Sequence, residues 1–136
     1  YRNRISGPLL DRIDLHVVVP AVRYEDIANV PRGETSSTVR ARVCRARHLQ
    51  QQRFSQPDAP SCNATMGSKD IQTFCALDIT GQELMKLAMN EYRFSARAYD
   101  RILKVARTIA DLDDDVKIQA HHLSEAIQYR TLDRAN

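Results

Sequence analysis

The sequence predicts a mainly α protein, a bundle of four to five helices preceded by a single core β-strand and a connector. Three observations carry that reading. Residues 95–112, SARAYDRILKVARTIADL, place Tyr99, Ile102, Leu103, Ala106, Ile109 and Ala110 on one face at the helical period. Residues 13–19, IDLHVVV, are short, β-branched and closed by Pro20, as a strand buried on both faces is. Residues 55–68, SQPDAPSCNATMGS, have the prolines, glycine and small polar residues of a linker.

Taken in order, the strand comes first. A lone strand leaves its backbone donors and acceptors unpaired, so IDLHVVV implies further strands before Tyr1. The chain also opens in mid-pattern without a methionine, and it reads as a piece of something larger. Without that sheet, residues 1–20 are expected to be loosely docked or disordered. A connection with Pro20, Pro31 and Gly33 follows. A helix then starts at the Thr35-Ser36-Ser37 cluster, which supplies capping oxygens, and Val39, Val43, Ala46 and Leu49 form its apolar row. Beyond the linker a short helix covers residues 68–75. Thr80 and Glu83 have the spacing of a capping box that opens a helix to about Tyr92. Leu84, Leu87 and Ala88 form one apolar row there, with Met85, Met89 and Tyr92 beside it. Ser95 caps the 95–112 helix, which ends without a C-cap glycine at Asp111, Asp113, Asp114 and Asp115. Acids at a helix C-terminus oppose its dipole, so a solvated turn is expected. A last helix, about 119–130, carries Leu123, Ala126 and Ile127. The division is residues 1–20 as the end of a core domain, 21–67 as connector and basic helix, and 68–136 as a C-terminal helical domain.

The bulk numbers exclude several classes. At 136 residues, 43% hydrophobic and 27% charged, the chain has the makings of one ordinary globular unit. No apolar run approaches the length of a membrane span, and no secretory signal opens the chain. Three cysteines without a CxxC pair argue against a zinc site or a disulfide framework, and a reducing, cytoplasmic setting is the default. Cys44 and Cys75 read as small core residues.

Charge is uneven although the net value is only +3. Residues 35–57 hold Arg40, Arg42, Arg45, Arg47 and Arg53 with His48 and no acid. Such a run suits phosphate contacts with nucleic acid, and equally a solvated helix face or a subunit contact. His121-His122 suggests a metal, but neighbouring helical residues point about 100 degrees apart, so surface or packing histidines are expected and no metal ligand is assigned. In DRID, residues 11–14, Arg12 suits a salt bridge with Asp11 or Asp14 on pattern alone. Arg97, by the same standard, suits an exposed helix position.

The segments ISGPLLDRIDLHVVV, SARAYDRILKVARTIADL and HHLSEAIQYR resemble the C-terminal part of the Mg-chelatase-like AAA+ ATPases, and the competence-protein branch of that family most closely. The resemblance runs from Ile5 to Arg130 and is loosest over residues 20–70. It implies an α/β ATPase core followed by a helical lid, assembled as a homo-oligomeric ring, usually a hexamer. It places Arg12 on the arginine finger, acting on a neighbouring subunit's nucleotide, and Arg97 on the sensor-2 arginine, in cis or in trans. ATP and Mg²⁺ are implied for the longer protein. None is expected on this chain by itself, because no GxxxxGK[ST] loop and no apolar run ending in paired acids occurs in it. Three functions follow: a DNA-remodelling motor acting in recombination and natural transformation, a chelatase-type ATPase driving Mg²⁺ into a porphyrin, or a stand-alone helical interaction module. DNA is the implied partner of the first, and no membrane is implied by any.

Overall fold

The computed structural model describes Leu9, residues 12–23 and residues 33–131. Within them the chain forms α1 (Ser36–Arg53), a 3-10 turn (Asn63–Thr65), α2 (Ser68–Phe74), α3 (Ile79–Tyr92), α4 (Ala96–Leu112) and α5 (Ala120–Thr131). The mainly α class holds.

The hub is α4. Its most extensive contact is with α5, and α1, the 3-10 turn and α2 also pack on it, while α3 reaches the core through α5. The sequence of α4 explains this role. Ala98, Ile102, Leu103, Ala106, Ile109 and Ala110 are all buried, a stripe broad enough to serve partners on several sides. Its alanines let neighbouring axes approach closely. Leu123, Ala126 and Ile127 of α5, Met85 and Ala88 of α3, and Ile71 and Cys75 complete one apolar cluster. Each large member contributes about 1.5–3 kcal/mol on burial.

Side-chain caps start three of the helices. Thr35 Oγ1 accepts from Thr38 N at 3.2 Å, and Ser95 Oγ accepts from Ala98 N at 3.2 Å. Helix α3 is capped by Asp78, whose Oδ1 accepts from Gly81 N at 2.7 Å. It therefore begins before the Thr80–Glu83 spacing suggests. A carboxylate at a helix N-terminus gains from the dipole as well as from the hydrogen bond. Between α3 and α4 the chain turns through Arg93, which takes a left-handed conformation with φ 49°.

Several expectations are corrected. Residues 13–19 form no strand, and the described residues contain none; ladder hydrogen bonds need a neighbouring strand. Val17, Val18 and Val19 are exposed instead. Val39 and Val43 are also exposed, because only the C-terminal half of α1 lies on α4, where Ala46 and Gln50 are buried. Leu87 faces solvent, and Tyr99 sits at the solvent edge of the α4 stripe. Cys75 is buried as expected, but Cys44 is exposed on the free half of α1.

The presumed linker is an anchor. Asn63 and Met66 are both buried. Asn63 donates from its backbone N to Gln50 Oε1 at 3.0 Å, and from Nδ2 to Asp111 Oδ2 at 2.8 Å and Thr108 Oγ1 at 3.1 Å. Arg53, at the end of α1, donates to both Asp111 oxygens at 2.5 and 2.8 Å and to Asn63 Oδ1 at 2.8 Å. Arg107 donates from Nε to the same carboxylate at 3.1 Å, and its other nitrogens reach the carbonyls of Val116 at 2.8 Å and Asp115 at 2.5 Å. Asp111 is thus no part of a solvated turn. It is 1% exposed and ties α1, the 3-10 turn and α4 together. Burial pushes the Arg107 guanidinium below its ordinary pKa, and Asp111 opposes that shift.

Candidate functional site

Residues 13–16 run beside α4 and α5 without regular secondary structure. Arg12 N closes a turn onto the Leu9 carbonyl at 3.0 Å, and the Arg12 side chain is exposed. The next residues are fastened one after another. The Ile13 carbonyl accepts from Arg130 Nη1, the Asp14 carboxylate is ion-paired with Arg101 Nη1, and His16 N donates to the Tyr129 carbonyl at 3.0 Å. The segment is therefore docked on the bundle at three points. Leu15 lines a largely apolar pocket of about 310 Å³ together with Val105, Ile109, Leu112 and Tyr129.

Arg97 lies in the first turn of α4, just past the Ser95 cap, and is exposed. Arg101 follows it by four residues, so the two guanidiniums share one face of the helix. Arg101 holds Asp14, and Arg12 is two residues before Asp14. The simple salt-bridge reading of DRID changes, since Asp14 pairs with Arg101 across the fold; Asp11 lies outside the described residues.

The basic run divides by environment. Arg40, Arg45 and Arg47 are exposed on α1. Arg42 makes a two-pronged pair with Glu34 at 2.7 and 3.0 Å, and those hydrogen bonds hold the Glu34 carboxyl below its usual pKa. Arg53 is committed to Asp111 and Asn63 inside the protein, so it is not presented with the others. Sequence reasoning missed this. The available signal was that Arg107 and Asp111 are spaced i, i+4 beside the apolar stripe of α4.

Asp113, His121 and His122 draw their ligand-type atoms within 4.8 Å of one another. His122 is fully buried, while His121 is exposed. His122 Nδ1 accepts from Gln119 N at 2.9 Å, just ahead of α5, which is the return half of a capping box. In the neutral ring this places the proton on Nε2, which then donates to Asp113 Oδ2 at 3.1 Å. A metal-bound Nε2 has its proton on Nδ1 instead. The hydrogen bonds accordingly make His122 the starter of α5.

Together these elements form a helical bundle of the lid type, built around α4 as its central helix. Residues 33–130 match the family described as magnesium chelatase, subunit ChlI C-terminal, and residues 1–27 match magnesium chelatase, subunit ChlI. The chain belongs to the magnesium chelatase ChlI C-terminal family and resembles its ComM/YifB members. It is 43% identical over 135 residues to competence protein ComM of Haemophilus influenzae, covering 98% of this chain and 26% of that protein. The corresponding values for the uncharacterized protein YifB of Escherichia coli are 40%, 98% and 26%. For the uncharacterized protein Mb2921c of Mycobacterium bovis the identity is 30% over 130 residues. The chain spans about a quarter of the length of the curated relatives it matches. Among the described residues no helix is long and apolar enough to cross a membrane.

Proposed function

We propose that this chain is the lid and arginine-finger portion of a ring-forming AAA+ ATPase, and that the whole protein uses ATP hydrolysis to remodel DNA. The observation that supports the reading is the exposure of Arg12 and of Arg97, the latter in the first turn of α4, in a chain that belongs to the ChlI C-terminal family. Two planar guanidiniums suit a triphosphate, since each offers paired donors to phosphate oxygens and keeps its charge at all working pH values. ATP with Mg²⁺ supplies the phosphoryl group in this class. The residues of this chain contribute cationic donors to it. Arg12 is read as a finger reaching a neighbouring subunit's γ-phosphate, which makes hydrolysis depend on assembly. Arg97 also has the unpaired N–H groups of the α4 first turn beside it, a setting that favours anions. The three exposed arginines Arg40, Arg45 and Arg47 are candidates for phosphate contacts with DNA.

The relative named as a competence protein, at 43% identity, supports the DNA reading. A chelatase-type role, driving Mg²⁺ into a porphyrin, has the description of the matched family in its favour. ATP hydrolysis by the full-length protein, with and without branched DNA, separates the two. DNA-stimulated hydrolysis that falls by roughly 10³–10⁵ in Arg12→Ala, with nucleotide binding and assembly intact, is the expected result. Hydrolysis that needs Arg12 but ignores DNA favours the chelatase-type role. Undiminished hydrolysis by Arg12→Ala refutes the finger assignment.

A further inference from the structure

We propose that the free half of α1 docks in the major groove of duplex DNA, with arginines on its two flanks meeting the phosphates of both groove walls. This names the part of the chain and the form of nucleic acid involved, and it rests on the reading that the whole protein acts on DNA.

Direction, charge and clearance carry it together. Successive helical residues turn by about 100°. Arg40 and Arg47 therefore fall within about 20° of each other, and Arg45 lies about 140–160° round the helix from them. Ala46 and Gln50, the residues α1 buries, mark a third direction, about 90° from the first flank and about 120° from the second. All three arginines are exposed. The helix thus turns one face to the bundle and shows a cation on either side of the opposite one. Its charge is of one sign, since no acid occurs from Ser36 to Arg53. Glu34, just ahead of it, is taken up by Arg42, and Arg53 is taken up by Asp111 inside the protein. Asp114 shares a surface pocket with Arg45 and His48, but among the described residues it forms no ion pair with either. What remains outward is Arg40, Arg45 and Arg47, a display that complements a polyanion. Clearance is the last requirement. The major groove of B-form DNA is about 12 Å wide and about 8.5 Å deep, and it admits a helix. The length of α1 before Ala46 extends about 15 Å and contains no buried residue, with Val39 and Val43 exposed along it. This arm enters the groove before the bundle meets the DNA backbone.

A short fluorescent DNA duplex is titrated with the full-length protein over a series of salt concentrations, and anisotropy reports binding. Wild type is compared with a triple variant that joins Arg40→Gln, Arg45→Gln and Arg47→Gln. All three positions are exposed, and circular dichroism with Tm checks that the fold is kept. Each phosphate contact adds about 0.9 to the slope of log K against log salt on B-form DNA. The triple variant should therefore lose about 2.7 of that slope per engaged subunit, and bind at least about tenfold more weakly at about 0.1 M salt. A second duplex, with bulky sugars on C5 of its cytosines, tests the placement, because substituents on C5 of a pyrimidine project into the major groove. Wild type should fall there to the affinity of the triple variant, which should fall no further. On duplex RNA, whose major groove is too narrow and deep to be entered, the two proteins should bind alike. Equal binding of the plain DNA duplex by both proteins overturns the inference and leaves the DNA reading standing. A deficit of the triple variant that persists in full on the sugar-filled duplex or on duplex RNA puts the arginines outside the groove and overturns it as well. Absence of duplex binding by wild type removes the DNA reading and this inference with it.

Discussion

Replacing Asp111 by alanine should be among the most damaging single changes in this protein. Its carboxylate accepts from Arg53 at 2.5 and 2.8 Å, from Asn63 at 2.8 Å and from Arg107 at 3.1 Å. The Asp111 side chain is 0% exposed, Arg107 3% and Arg53 14%. Truncation leaves two guanidiniums inside the protein with no counter-ion and leaves Asn63 Nδ2 with Thr108 Oγ1 as its remaining acceptor. Removing one partner of a buried ion pair costs about 3–5 kcal/mol, against a total stability of about 5–15 kcal/mol for a domain. At this chain length that corresponds to a fall in Tm of roughly 10–20 °C. Urea unfolding followed by far-ultraviolet circular dichroism, with calorimetry for Tm, measures it. A companion variant sharpens the test. Replacing Asp111, Arg53 and Arg107 together by apolar residues of similar volume removes the desolvation cost along with the attraction, and should lose much less than Asp111→Ala. A loss below about 1 kcal/mol in Asp111→Ala, the scale of a surface pair, would refute the claim that this carboxylate holds α1 and the 3-10 turn to α4.

Two further outcomes are expected. Burial pushes the Cys75 thiol from 9.0 to about 11. Between those values the unfolded chain loses the proton and the folded chain keeps it, so stability falls as pH rises from 9 and levels off near 11. The difference between wild type and Cys75→Ala across that window should reach roughly 2–3 kcal/mol, and pH-dependent urea titrations that show identical slopes for the two proteins would contradict it. Ser95→Ala removes the acceptor for Ala98 N and should cost about 1 kcal/mol. Ser95→Asp should recover it in the same unfolding assay, and equal stability of all three proteins would count against the cap.

How much of this was legible in the sequence depends on the length scale of the cause. Helix α4 was read to within a residue because Ile102, Ala106 and Ile109 repeat at the helical period and Ser95 stands at the start. Both signals are local. The exposure of Val39 and Val43 was not legible, because their spacing is that of a buried row and only the length of α1 that α4 covers decides otherwise. Asp111 was hidden as one of four clustered acids, and its partners Arg53 and Asn63 lie 58 and 48 positions away in sequence. The SQPDAPSCNATMGS stretch misled for the same reason: composition describes a flexible loop, while Asn63 is fixed by hydrogen bonds to distant side chains. At the candidate site, Arg12 and Arg97 were visible as residue types in recognisable motifs. The pairing of Asp14 with Arg101 across 87 positions was not.

Helix α1 is built like a beam fixed at one end. Its eighteen residues span about 27 Å, its buried residues are only Ala46 and Gln50, and its root is clamped by Arg53 on Asp111. The stretch before Ala46 is an arm of about 15 Å, carrying Arg40 and Arg45 on its free length. A sideways load at the tip acts at the root with the whole leverage of that arm. The root is fastened to α4 by Arg53 on Asp111 with Ala46 and Gln50 buried beside it, so the load arrives in the same rod whose other end carries Arg97 and Arg101. Strain applied at the tip of α1 thus reaches the helix that bears those arginines through its opposite end.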